Sequence, residues 1–543
     1  METQALLPPL LPTDLALRRA VLIVLALVPP LFGVLALMLG QDSNWDLRNY
    51  HWYNAYAALN GRLDLDMGPA QTPTFYNPVV DIPFYLLANW LPARGAGFVM
   101  GVLQGCNFIL LYMLAAKSLR LGSDKRQAAA ALAIALVGMI GGGHIALVGT
   151  TFYDNIVSLF VLGALLVVIA NADLLQRGAL TRAFVPVAVA GFLVGLGVGL
   201  KLPTQIFAIG ICFGLLFIPG PFWRRFWLSF VCGLGVIAGF ALLGGWWLWE
   251  LWTRFGNPLF PYFNDIIRSP WGLPADYRDD RFLAKSLIDA LTVPFRMFAD
   301  ARVVGEIPFR DARVMLAYAV LILTPVMFLI KRLSKTNVQP FADVFALRYL
   351  AAAAVLTYLV WIKLFVIYRY LIPLEMLAPL VTVVCLAVWP LASAKRAVLA
   401  VVACGFMVVT AQPGNWGRIP WSEKTVEVDV PDIANPARSM VIMTGYHPTS
   451  FVIPSFPPEM AFLRPHSFLV VPSHDTRYMQ VMRARIAAHT GDFYLLKPLW
   501  DVWSAADVLP GFGLTVLSCA PLVENLDREL EFCRLARGSD VQK

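Results

Sequence analysis

Apolar runs of bilayer length recur from residue 18 to residue 411, and they restrict this chain more than any other feature. Spanning the hydrocarbon core takes about 20 apolar residues in a helix. Inside lipid, every backbone polar group has to be satisfied within its own segment or a closed barrel. The runs are 18–40, 96–116, 127–148, 155–172, 226–249, 313–330, 346–366, 370–392 and 397–411. The stretch 184–219 is too long for one crossing and is broken by Lys201-Leu202-Pro203, so it reads as two. About eleven transmembrane helices are therefore expected. Charged residues make up only 14% of the chain, against about 25% in soluble domains.

The basic residues fall in short groups between these runs: Arg18 and Arg19; Lys117, Arg120, Lys125 and Arg126; Arg177 and Arg182; Arg224 and Arg225; Lys331, Arg332 and Lys335; Lys395 and Arg396. One orientation puts all of them on the side of the amino terminus. Positive-inside makes that side cytoplasmic, with 41–78, 250–312 and 412–543 on the outer side. The net charge of +8 thus orients a membrane protein, and no nucleic-acid partner is expected. The first run is followed by Gln41-Asp42 rather than a small-residue cleavage site, so it reads as a retained span. The segment 79–92, with Asp81, Pro83 and Pro92, reads as an interfacial or re-entrant helix.

The expected fold class is an all-α polytopic membrane protein with a small C-terminal α/β domain outside the membrane. The division drawn from sequence is 1–411, carrying outer loops 41–95 and 250–312, and 412–543. The latter alternates short apolar runs, such as Met440–Thr444 and Ser467–Pro472, with a helical stretch, Arg477–His489. Five cysteines (Cys106, Cys212, Cys232, Cys385, Cys404) lie in apolar runs and read as small buried hydrophobes. Cys519 and Cys533 lie in the polar C-terminal part, where an oxidising compartment allows a disulfide.

Polar residues at the bilayer edge are costly and invite functional explanations. Asp46 leads them, in the polar stretch Gln41–Tyr56 that follows the first span. On an α-helix, Asp46, Asn49 and Tyr50 would share one face; the bland alternatives are an N-cap or a pair with Arg48. Asp42 reads as a cap or a supporting residue, and His51 as a base, a ligand or an interfacial donor. Asp154, in Tyr153-Asp154-Asn155, reads as either an N-cap or a second acid. Lys201 and Arg369 sit at outer turns, where each suits a phosphate; Arg brings a rigid fork of donors, and the bland alternatives are a snorkelling lysine and an interface anchor. Arg369 is flanked by Tyr368 and Tyr370. Gly256-Asn257-Pro258-Leu259-Phe260-Pro261 reads as an outer turn, and Arg302, Glu306 and Arg310 as solvated charges that could line a site.

In order and spacing, these motifs resemble the GT-C superfamily of integral-membrane glycosyltransferases, which includes protein O-mannosyltransferases and the transferases that place aminoarabinose on lipid A. The resemblance covers about 1–411. It rests on Trp45-Asp46-Leu47-Arg48-Asn49-Tyr50-His51, on Tyr153-Asp154-Asn155, on the glycine-rich Gly191–Lys201, on the Asn257 turn, and on Tyr368-Arg369-Tyr370-Leu371-Ile372-Pro373. It implies a polyprenyl-phosphate-linked sugar donor, a glycan, lipid or protein acceptor, Asp46 as base, and Lys201 and Arg369 as donor-phosphate contacts. It further implies a multi-pass protein of a bacterial inner membrane with its C-terminal domain in the periplasm. Many relatives carry paired acids in the first loop, whereas here Leu47 follows Asp46. A divalent metal, which some members bind, would have Asp46 and Asp154 as its ligands. Two other readings stand beside this one. A lipid or polysaccharide transporter would want carboxylates near mid-membrane, where Glu375 is the exception. An O-antigen-ligase-like or polymerase enzyme would lean on Arg302, Arg310 and His51.

Overall fold

The computed structural model describes residues 9–334, 338–527 and 529–538; Lys335 of the basic groups lies outside them. Eight helices among these residues are long and apolar enough to cross a membrane: Leu15–Leu39, Ala93–Ser118, Leu180–Leu200, Phe222–Phe255, Arg313–Leu333, Val344–Leu364, Tyr368–Leu386 and Ser393–Thr410. The chain is a multi-pass membrane protein. Three shorter helices, Asp124–Met139, Asp154–Ala170 and Leu202–Phe217, occupy the other three expected runs. The break in sequence explains two of them. The run expected at 127–148 ends at Met139 because Gly141-Gly142-Gly143 follows, and Leu202-Pro203 restarts the chain after Lys201.

The chain divides into two compact units. The first comprises residues up to Met38, Phe98–Gly244 and Asp279–Trp416. Its glycines let helices meet backbone to backbone. A Cβ on Gly191, Gly195 or Gly199 would lie 2.0, 2.3 or 2.9 Å from Cys232 O, Val236 O or Leu243 Cβ. From the facing helix, one on Gly235 or Gly239 would lie 2.3 or 2.2 Å from Ala188 O or Phe192 O. Lipid gives helices no hydrophobic reason to associate, so close van der Waals approach between small residues takes that role.

The second unit comprises Leu39–Gly97, Gly245–Arg278 and the chain from Gly417 onward. The sequence-based division at 411/412 does not follow this grouping: the first outer loop is built together with the C-terminal residues. A two-stranded ribbon joins β1 (Gln41–Asp42) to β2 (Arg418–Ile419), antiparallel. A six-stranded sheet follows: β3 (Val428–Asp429), β4 (Ser439–Met443), β5 (Ala461–Leu463), β6 (Asp492–Pro498), β7 (Leu514–Glu524) and β8 (Leu530–Arg537), in the order β3-β7-β8-β6-β4-β5. β5, β4 and β6 are parallel, and β6, β8 and β7 pair antiparallel. Helix Arg477–Ala488 carries the chain from β5 to β6, so the C-terminal part is α/β. One core runs through the three segments: Met67 and Phe75 from the first loop, Trp247 and Phe260 from the middle one, and Ile442, Met482 and Leu495 from the last. Trp247 Nε1 donates to Phe75 O at 2.8 Å. Cys519 and Cys533 are bonded across the β7–β8 pair.

Candidate functional site

In the first unit the expected donor-phosphate residues gather on Phe152. Tyr153, at a φ of +62°, turns the chain into helix Asp154–Ala170. Asp154 is therefore the first helical residue rather than the N-cap. Its carboxylate instead accepts from Lys201 Nζ at 2.8 Å. Lys201 follows the glycine-packed helix Leu180–Leu200 with extended backbone. Its Nζ also donates to Phe152 O at 2.6 Å and lies 5.5 Å from the Tyr370 ring centroid. The Arg369 guanidinium sits 4.1 Å over the Phe152 ring. Cations are held over aromatic faces by the ring quadrupole. Val366, at a φ of +54°, sets up the short turn Tyr368–Leu371 that presents Arg369. Two cations thus share one aromatic residue, and one of them holds an acid. Phe152 itself carried no signal in the sequence, since an apolar residue beside a span is unremarkable.

Loop residues add charge here. Asp279 accepts from Arg281 Nε and Nη2 at 2.9 and 2.7 Å. Burial works to raise its carboxyl, but the Arg281 pair, helped by Arg369, holds it below the usual carboxylate range. Arg302 pairs with Asp300 at 3.0 Å, and the Arg310 guanidinium lies 4.6 Å over Phe298. Tyr368 is buried, its backbone N–H donating to Val304 O at 2.7 Å. Glu375, also buried, accepts from the backbone N–H groups of Gly143 and His144 at 3.2 and 2.9 Å. A Cβ on Gly141 would lie 1.8 Å from Glu375 Oε1, so the glycine run makes room for this carboxylate. Asp311 and Arg313 form a fully buried pair at 2.5 Å.

In the second unit, Asp46 is half-buried at the start of a π-helical turn, Leu47–His51. Such turns are rare and frequently mark functional sites. Asn49 and Tyr50 of the expected face have partners of their own. Asn49 Nδ2 donates to Ala70 O at 3.1 Å, and the Tyr50 ring packs 5.1 Å from Tyr76. Asp46 makes no capping bond, and Arg48 pairs with Asp527 at 2.7 Å. His51 Nδ1 meets Asp81 Oδ1 at 2.6 Å, both buried. Sequence reasoning had neither acid as a partner, since Asp81 lies 30 positions away and Asp527 close to the C-terminus. Asp42 accepts from Asn44 Nδ2 at 2.7 and 2.9 Å. Asn257 is committed to its own turn, donating to Tyr262 O and accepting from Leu259 N.

The donor set at Asp154 does not suit a divalent ion, because the Lys201 ammonium already meets its carboxylate and a metal there would face that positive charge. Among the described residues, His, Cys, Asp and Glu atoms converge to ligand range in threes only at Cys519, Glu531 and Cys533, where both cysteines are disulfide-bonded.

No family model matches the chain, and no curated protein matches it. Two solved structures align along most of it. One is the archaeal oligosaccharyltransferase AglB from Archaeoglobus fulgidus in complex with an inhibitory peptide and a dolichol-phosphate: 11% identity over 89% of this chain and 69% of that one, TM-score 0.45. The other is the Archaeoglobus fulgidus oligosaccharyltransferase in the apo form: 12% identity, 88% and 69%, TM-score 0.36.

Proposed function

We propose that the chain is an inverting glycosyltransferase that moves a sugar from a polyprenyl-phosphate donor to an acceptor hydroxyl on the periplasmic face of a bacterial inner membrane. The observation that carries this reading is the gathering of Lys201 and Arg369 on Phe152, with Asp154 paired to Lys201, within a unit rich in membrane-spanning helices. The bond from the sugar's C1 to the phosphate oxygen breaks as the acceptor oxygen bonds to C1. The acceptor proton passes to a carboxylate base, the role the resemblance gives to Asp46, and the electron pair leaves with the phosphate. Two preorganised cations favour that step because they act where negative charge develops. Asp154 holds the Lys201 ammonium in place. The transporter reading finds less support, because Glu375 and Asp311 are tied to backbone N–H groups and Arg313 rather than free to carry a proton.

The test is sugar transfer from a labelled polyprenyl-phosphate-sugar pool in membranes carrying wild type, Asp46→Asn or Arg369→Lys, with label scored in lipid, glycan and protein. The wild type is expected to transfer. Asp46→Asn should lower the rate at least about 100-fold at equal expression, and Arg369→Lys should lower it less. Undiminished transfer in Asp46→Asn would move the base elsewhere, first to Asp154. No transfer by the wild type would count for the transporter reading.

A further inference from the structure

The carboxyl ends of β4, β5 and β6 open on one edge of the sheet in the second unit. β4 lies between the other two, so the chain leaves it toward β5 and returns past it to β6. Ligands of open α/β sheets bind in the crevice at such a reversal of strand order. The three departing loops draw together on Gly445. Its N–H donates to His466 Nδ1 at 3.3 Å, and a Cβ on it would lie 2.2 Å from Asp501 Oδ2. Four aromatic side chains stand exposed on these loops: Tyr446 at 43%, Phe468 and Trp500 at 59%, and Trp503 at 80%. Tyr446 lies 4.5 Å from Phe468, ring to ring.

The floor is polar and incompletely satisfied. Arg464 is fully buried; its Nη2 donates to His447 O at 3.1 Å and to Thr449 Oγ1. Its Nε and Nη1 meet no acceptor among the described residues, and neither does the buried Thr444 hydroxyl. Buried polar groups almost always have partners, so such exceptions call for an explanation. The first outer loop braces the rings. Gln71, buried at a φ of +60°, donates from Nε2 to Tyr446 O at 2.9 Å and accepts from Phe468 N at 3.4 Å. Non-glycine residues persist at such angles where their surroundings over-determine them, often at ligand clamps.

We infer that this crevice is a saccharide-binding site, with the exposed rings taking the apolar faces of sugar rings and Asp501 and His466 taking hydroxyls. Asp501 and Asp507 lie close enough to act on His466, and such carboxylates suit a neutral polyhydroxy ligand better than a phosphate. A membrane anchor would present an apolar face without this polar floor. That the saccharide is the acceptor glycan rests on the transferase reading; its binding does not.

The test uses the full chain in detergent, titrated by tryptophan fluorescence with chitohexaose, cellohexaose and mannohexaose. Saturable binding of at least one is expected, weakened about tenfold by Trp500→Ala and by Trp503→Ala, with melting unchanged because both side chains are exposed. Gln71→Ala should also weaken it. Failure of all three sugars to bind the wild type, or equal binding by the tryptophan variants, would overturn the inference. So would quenching of Trp500 and Trp503 by brominated lipid in nanodiscs, which would make the rings a membrane anchor. No donor is present, so loss of transfer with binding intact would count against the transferase reading alone.

Discussion

Lys201 and Asp154 can be separated into a structural pair and a chemical role. Removing one partner of a buried pair strands the other's charge, whereas removing both need not. Lys201→Met is expected to cost about 3 kcal/mol, read as a lower melting temperature in detergent, and to abolish transfer. Adding Asp154→Asn should restore most of the stability and none of the transfer; restored transfer would reduce Lys201 to a structural role. His466 gives a second expectation. Burial lowers its imidazole below the ordinary value near 6.5, with Asp501 and Asp507 pulling the other way. A depressed histidine favours the neutral form in the fold. Its contribution is present above the ordinary value and is lost as pH falls through the lowered one. Protonation would also remove the acceptor for Gly445 N–H. Hydrogen exchange of 444–450, corrected for intrinsic rate, should therefore quicken between about pH 7.5 and about pH 5, and His466→Gln should abolish that dependence. Lys201 and Arg369 were grouped from the sequence as phosphate contacts, but the Asp154–Lys201 pair and the part of Phe152 were not legible, because an apolar residue carries no signal and the separations are long.

At the scale of elements, the glycine-rich run Gly191–Lys201 shows what a pattern can and cannot carry. The glycines were legible as a motif, yet their partners, Cys232, Val236 and Leu243, are ordinary apolar residues in a helix with glycines of its own. Gly195→Val would push a side chain into Val236 O and part the two helices. The expected cost is at least about 1–3 kcal/mol, with Lys201 displaced at the helix end. Lower melting together with lost transfer supports this; unchanged melting would refute the seam. Span positions were legible because apolar length reports directly on lipid. The π turn after Asp46 was not, since a wide turn leaves no composition of its own. It replaces the α-helical spacing from which a face of Asp46, Asn49 and Tyr50 was drawn.

For the whole molecule, the disulfide ties fold to compartment. Cys519 and Cys533 are 14 residues apart, and a loop of that length contributes about 3 kcal/mol in chain-entropy terms. If the C-terminal residues face the periplasm, alkylation of intact cells should find these two cysteines oxidised and Cys106, Cys212, Cys232, Cys385 and Cys404 reduced. Reduced Cys519 and Cys533 would reverse the orientation read from the basic groups. The second unit assembles from three separated stretches of chain, and that has a consequence in time. β1, just upstream of Asp46, finds its partner strand β2 only roughly 380 residues later. At about 5–20 residues per second, the acidic first loop emerges on the order of tens of seconds before the strands that complete its surroundings. A chain interrupted anywhere in that interval carries the acid without the strand that pairs just upstream of it.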